Sequence, residues 1–476
     1  MNKNSIDIAP VPATKRDAGP LSMFWLFAGG NVLLAAFMVG SDYAETLGLV
    51  PMIMVTIFGN LAAYTICAWS AQKNIKYGLD EAISHRPAFG YYGALFGVFL
   101  IVFITIGWVG ILSSMTGTAG QMVMETITGG YTFPGDYSIY ALGGGIVIPL
   151  LLLLINPKMG FKVANITVPL MIIFSIIMLF QMLSAENLSA ISSVEPTGEF
   201  GWMYAFEVIF AFAVVWLPYL GAWNKFSKKE RGGFWGTYLG LALVGMLFGI
   251  IGGLATLLTG KIDPTLWMAE LNLGIFGFVI VILGTITSCA ILLYAAIMAV
   301  LTVFPKWKFH LVALCVAAPS IIFVFQGTLR DIFDLVLIFG GMLAGPYWAI
   351  ILADYFILRK RKINLKACFD PKGVYSYFRG INPIAVIAQI VGMLLWIYIG
   401  GWMTGFEIIT FASGDAIFTI TSATLPAMIV SGTVYVILAR RYFKGKLMGD
   451  YHLNDYEEEN RVGELKEIKK ELDKAN

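Results

Sequence analysis

Apolar stretches close to twenty residues long recur from one end of this chain to the other, and that recurrence limits what it can fold into. A helix that crosses a bilayer needs about 20 mainly apolar residues. Inside lipid every backbone polar group must be satisfied within the spanning structure, so only helices and closed barrels qualify. A barrel needs alternating strands of ~10 residues. Runs such as 146–155 and 279–299 do not alternate, so the spans are helices. The 476 residues are 58% hydrophobic and 13% charged, against roughly 25% charged in a soluble protein. The bilayer is therefore the solvent for most of this chain. Helices are expected at 22–41, 47–71, 93–122, 138–155, 161–183, 202–223, 234–259, 273–304, 309–326, 332–358, 382–401 and 415–439. That makes an all-α integral membrane protein with about twelve transmembrane helices.

The connections carry an orientation signal. Those after the second, fourth, sixth, eighth and tenth helices hold the basic residues: Lys73, Lys76 and Arg86; Lys158 and Lys162; Lys225, Lys228, Lys229 and Arg231; Lys306 and Lys308; and the run 359–362. Those between are acidic or neutral, with Asp42 and Glu45 in 41–45 and Glu186, Glu195 and Glu199 in 184–200. Basic loops stay cytoplasmic. A multi-pass inner-membrane protein with both termini cytoplasmic is expected, and an even helix count satisfies it. The polar start of the chain shows no short apolar core before a small-residue cleavage site, so no cleaved signal peptide is expected.

Other classes are disfavoured. A net charge of +2 gives no reason to expect a nucleic-acid partner. Cys67, Cys289, Cys315 and Cys368 are scattered and form no CxxC pair, so buried packing is expected of them rather than metal or disulfide chemistry. The spans hold no clustered His, Cys or paired carboxylates of the kind a membrane enzyme needs. No cofactor is expected. A carrier of small solutes is the remaining class.

Three stretches sharpen this. Gly345-Pro346 is followed by Ala353-Asp354-Tyr355-Phe356, the basic run 359–362, Lys372-Gly373-Val374-Tyr375 and Tyr377-Phe378-Arg379-Gly380-Ile381-Asn382. His85-Arg86-Pro87-Ala88-Phe89-Gly90 precedes the third helix, which contains Trp108-Val109-Gly110. In these residues the chain resembles the nucleobase–cation symporter family, the group of the purine–cytosine and hydantoin permeases. The resemblance implies two five-helix inverted repeats, helices 1–5 over 21–183 and helices 6–10 over 202–358. Two accessory helices would follow over 382–439. A cytoplasmic segment, 1–20, and a charged cytoplasmic tail, 440–476, would flank them. A monomer is expected.

Candidate site residues follow from the residues and the resemblance together. Trp108 lies mid-span between Gly107 and Gly110, far from the interfaces that indoles favour. A stacking plate for a flat ring is one reading, packing the other, and the resemblance puts the family's stacking tryptophan here. In the first helix Gly29-Gly30 favours a break, and Asn31 offers a donor and an acceptor to a substrate; helix–helix glue is the competing use. The resemblance implies that Ala28 and Asn31 give backbone carbonyls to a cation, and that Gly284, Thr287 and Ser288 complete a Na⁺ site, where hydroxyls are suitable hard ligands. In the sixth helix it puts a second aromatic wall at Ala213, with Phe212 or Trp216 able to take that part. Glu207 is an acid inside a span, costly and functional by default. It would carry a proton or face a cationic substrate, unless it sits at the outer interface marked by Trp202 and Tyr204. Three positions depart from the family pattern: Ala222 for an acid, Leu112 for an amide, and Leu292 or Leu293 for an asparagine. The expected activity is symport of a nucleobase-like planar heterocycle with Na⁺, or with H⁺ for an amine on the same fold.

Overall fold

The computed structural model describes residues 8–451, apart from 132, 134, 157–158, 272–273, 326–328, 406–409 and 444–447. Lys158 and the tail from 452 onward lie outside the described residues. The spans are α1, a pair Pro20–Asn31 and Leu34–Leu47 bent by 60°; α2, Leu49–Tyr77; α3, Leu95–Thr128; α4, Asp136–Ile155; and α5, Met159–Met182. Then come α6, Trp202–Asn224; α7, Glu230–Thr259; α8, Gly274–Val303; α9, Phe309–Phe325; and α10, Phe333–Leu358. The last are α11, Pro383–Thr404, and α12, a pair Ala412–Thr421 and Thr424–Phe443 bent by 94°. Among the described residues nine helices are long and apolar enough to cross a bilayer, and the bent pairs raise that to eleven. The shorter α9 takes the twelfth position.

The packing is reciprocal between the two halves. α1 lies on α7 as α6 lies on α2, and α3 packs on α8. That is the pairing expected of two inverted five-helix repeats, α1–α5 and α6–α10. α11 and α12 form a separate layer against α10. Lipid gives helices no hydrophobic reason to associate, so close backbone approach matters. At the α1–α7 crossing a Cβ on Gly40 would lie 1.8 Å from the Gly249 carbonyl oxygen. No side chain larger than hydrogen fits there.

The connections differ from expectation in ways that have causes. Residues 41–45 are not a loop. They continue α1 to Leu47, and only Gly48, at φ 74°, separates α1 from α2. Asp42 and Glu45 therefore sit on a helix. α2 continues to Tyr77, which puts Lys73 inside it, buried and paired with Glu81 at 2.7 Å. Arg86, Lys225 and Arg359 are also buried. These cations serve the interior as well as the orientation signal.

Two of the stretches that carry the resemblance fold against each other. Arg359 pairs with Asp354 and donates to the Pro87 carbonyl at 2.8 Å. Asn382 donates to the Ala88 carbonyl at 2.7 Å. The segment after α2 is thereby tied to the segment after α10.

Candidate functional site

α1 breaks at Val32–Leu33, where Leu33 is extended (φ −138°). Gly29 and Gly30 are not the break; both are still helical. Their use is close approach. A Cβ on Gly29 would lie 2.6 Å from Val168 of α5, and one on Gly30 would lie 2.3 Å from the Trp216 indole. α6 breaks at Val215–Trp216, because Pro218 has no N–H to continue the ladder. A single tight turn, Leu217–Tyr219, leads into Leu220–Asn224. A wide turn of α10, Gly340–Ala344, rests on this break, with Gly340 against Val215.

The α1 break meets α8 and α5 in a patch of neutral oxygens. The Ser288 hydroxyl is 3.2 Å from the Gly29 carbonyl and 3.4 Å from that of Gly30. One turn earlier, Gly284 lets the Val32 carbonyl approach to 2.8 Å from where its Cβ would stand. Thr287 turns the other way. Its hydroxyl is 3.0 Å from that of Thr167 on α5 and donates to the Leu283 carbonyl. The Ala28 carbonyl accepts the Val32 N–H at 2.8 Å. Among the described residues no group of three or more His, Cys, Asp or Glu could hold a metal. Carbonyls and hydroxyls of this kind suit a hard monovalent cation instead. Thr167 was not foreseen; a lone threonine in an apolar helix carries no signal until its neighbour is known.

The aromatic part lies between α3, α6 and α10. Trp108 meets Phe212 edge to face, with ring centres 5.5 Å apart, and Phe333 at 6.0 Å. All three rings are buried. The glycines beside Trp108 do not clear space for a ligand. Gly107 admits Val336 of α10, and Gly110 admits Phe323 of α9. Phe333 was missed because nothing in its local sequence sets it apart from other apolar residues.

Trp216 and Asn31 join the two broken helices. The Trp216 indole lies over Gly30 and donates to Asn31 Oδ1 at 3.1 Å. The Asn31 amide donates to the Leu241 carbonyl at 2.9 Å and to the Tyr64 hydroxyl at 3.0 Å. Both donors and the acceptor of this side chain are engaged, so in this conformation it links α1, α2, α6 and α7. Below it the Tyr219 hydroxyl is 3.0 Å from that of Thr105 on α3.

Glu207 lies apart from these groups, on α6 five positions before Phe212. It is buried, and it receives the N–H groups of Ala423 and Thr424 at 2.9 and 2.8 Å and the Thr424 hydroxyl at 2.5 Å. A carboxylate at a helix N-terminus is favoured by the helix dipole and its unpaired N–H groups. Here the carboxylate is supplied by another helix, and it holds α12 to α6 at the bend. Glu207 also borders a cavity of about 270 Å³ with Asp42, Tyr204, Asp334, Trp396 and Trp402.

Two broken helices that meet at a polar seam inside two inverted repeats are the architecture of a membrane transporter. The chain belongs to the family of permeases for cytosine/purines, uracil, thiamine and allantoin, which matches residues 10–416. A hydantoin permease of Microbacterium maritypicum is 22% identical over 81% of this chain and 82% of its own length. A purine-uracil permease of Arabidopsis thaliana is 23% identical over 91% and 77%. These relatives are named as permeases, not enzymes. A nucleobase–cation symporter solved in a closed conformation with bromovinylhydantoin bound shares the fold. Its TM-score is 0.77 at 18% identity, over 98% of this chain and 99% of that one. A Na⁺-coupled sialic acid symporter has a TM-score of 0.58 at 12% identity, over 91% and 93%.

Proposed function

We propose that this permease couples Na⁺ to the uptake of a small planar heterocycle of the nucleobase or hydantoin type. The observation that carries this reading is the meeting of the α1 break with Ser288 and Gly284 of α8, within one helix turn of the α1–α6 contact at Asn31 and Trp216. A cation between those oxygens would fix the α1 break. The substrate would lie against Trp108 with Phe212 and Phe333 around it, and Trp216 and Asn31 would border it on the α1 side. Each ligand would then raise the affinity of the other by the same factor. Leu112, Leu292 and Leu293 are all buried and offer no polar side-chain group. Recognition would therefore rest on ring stacking more than on reading a polar edge. The relatives' hydantoin and purine substrates are rings of this kind. The face bearing the exposed cations Lys228, Lys229, Arg231, Lys306 and Lys308 would be cytoplasmic, with both ends of the chain on that side.

The test is thermal unfolding of the purified protein with purines, pyrimidines, hydantoins, allantoin and cationic amines, each in Na⁺ and in choline. A ligand that binds only the folded state raises its melting temperature. One planar ring that stabilises more in Na⁺ than in choline is the expected result. Equal stabilisation in both salts would overturn the coupling. A second reading, H⁺-coupled transport of an amine, draws on the three carboxylates Asp42, Glu207 and Asp334 around the outer cavity. Stabilisation by amines alone, indifferent to Na⁺, would favour it.

A further inference from the structure

We infer that α10 and α12 form a binding site for an anionic phospholipid in the leaflet next to the basic loops. A groove of about 620 Å³ runs along these helices on the face that looks into the bilayer. Trp69 of α2, Phe356 and Ile357 of α10, and Ile429 and Ile437 of α12 line it, and the Thr433 hydroxyl and the Trp69 indole N–H are the polar side-chain groups among its lining residues. Trp69, Ile357, Ile429 and Ile437 are each about half exposed or more. The floor is the α10–α12 contact, where a Cβ on Gly432 would lie 3.4 Å from the Ala349 carbonyl.

At the end facing the basic loops the groove changes character. A second cavity, of about 360 Å³, begins at Ile357, the residue it shares with the groove. It is bordered by Lys360, Arg440, Phe443 and Tyr451. Lys360 and Arg440 are exposed, and among the described residues neither pairs with a carboxylate. The neighbouring cation, Arg359, points the other way. It is buried against Asp354, and its guanidinium lies 4.5 Å from the centre of the Tyr451 ring. The wall of the second cavity is therefore fixed. The Tyr451 hydroxyl is 3.0 Å from that of Tyr435 and 3.2 Å from that of Tyr377.

An apolar channel at membrane depth that opens onto two cations has the chemistry of an acyl chain beneath an anionic head. Basic pockets between membrane helices on the basic-loop side hold such headgroups. Glu207 secures one end of α12 to α6, and the lipid would secure the other end to α10. The occupant is a lipid rather than a free anion because the cavity for the head continues into a groove that no water-soluble anion would fill.

The experiment is thermal unfolding in detergent with added phosphatidylglycerol, phosphatidylcholine of the same chains, or glycerol phosphate. Phosphatidylglycerol should raise the melting temperature of the unaltered protein more than phosphatidylcholine does, and glycerol phosphate should do nothing. The K360Q/R440Q variant should lose that difference, with affinity for phosphatidylglycerol falling about fivefold per cation, roughly 25-fold for both. K228Q/K229Q, which removes two exposed cations on the same face but outside the site, should keep it. Thr433→Trp, which fills the groove from an exposed position, should weaken stabilisation by both lipids. Three results would overturn the site: phosphatidylglycerol no better than phosphatidylcholine, the same increment in K360Q/R440Q, or the increment reproduced by glycerol phosphate.

Discussion

Glu207 on α6 and Glu81, just beyond the end of α2, are both buried carboxylates, one near each face of the spanning core. Glu207 is held by dipoles: two backbone N–H groups and a hydroxyl at the start of a helix. Glu81 is held by charge. Its Oε1 meets the Lys73 ammonium at 2.7 Å, His85 at 3.0 Å and the Trp348 indole N–H at 3.2 Å. Both arrangements join elements distant in sequence, α6 to α12 in one case and α2 to α10 in the other. The difference is what each leaves behind when it is disturbed. Neutral donors released at the α12 bend carry no net charge. A buried ammonium cannot shed its charge without cost.

The largest effect should follow from Glu81→Gln. Removing one member of a buried pair leaves the other uncompensated, and such losses run to about 3–5 kcal/mol. Lys73 is as buried as Glu81. Thermal unfolding of the variant should show the loss directly. Replacing both, as Lys73→Met with Glu81→Leu, should cost less than Glu81→Gln alone, because no charge is stranded. A double variant as unstable as the single one would mean that the carboxylate acts chiefly through His85 and Trp348.

Glu207→Gln should cost less, about 2 kcal/mol, the scale of hydrogen bonds to a charged group. The amide oxygen can still accept the Ala423 and Thr424 N–H groups, but the charge is lost and an N–H₂ replaces the oxygen that accepts from the Thr424 hydroxyl. A variant that keeps its melting temperature yet loses uptake would move Glu207 from holding α12 to handling the solute. The two ends should also part in acid. Burial pushes the His85 imidazole below its ordinary value. Burial would raise the Glu81 carboxyl, but Lys73 and His85 hold it below the usual carboxylate range. Both groups then bind fewer protons folded than unfolded. Stability should fall as pH drops below about 6.5, through His85, and again below about 4.3, through Glu81. His85→Gln should flatten the first part of that fall and leave the second.

The same pair shows what a sequence can disclose. Glu207 was legible because a carboxylate inside an apolar run has no cheap place to go. Glu81 was not, since it lies in a polar connection where solvation is the ordinary fate, and Lys73 beside it reads as a loop cation. Only the fold brings α10 over that connection and closes it off from water. The spans were legible for the same reason that Glu207 was, since lipid forbids most alternatives, but α1 and α2 run six residues past their expected ends and the bend inside α12 was not read. The position of the α1 break was misread. Gly29 and Gly30 look like a hinge, but the contact with Val168 and Trp216 that requires them comes from helices far along the chain. Phe333 and Thr167 had no local signal, because a phenylalanine or a threonine on a membrane helix acquires a role only from what faces it.

Thr424→Val makes the finest cut between the two arrangements. It removes the hydroxyl that bridges Glu207 and the Trp396 indole N–H, itself 3.0 Å away, and keeps both backbone N–H groups. If Glu207 is held mainly by the start of the helix, the backbone donors suffice. The loss should then be about 1 kcal/mol, one hydrogen bond's net worth. It should leave α12 seated, which hydrogen exchange at Ala423 and Thr424 would report as protection close to that of the unaltered protein. Exchange at those two amides as fast as in Glu207→Gln would mean that the hydroxyl positions the carboxylate. The Glu207 end would then depend on a side-chain network, as the Glu81 end does, and the contrast between dipole and charge would narrow to one of degree.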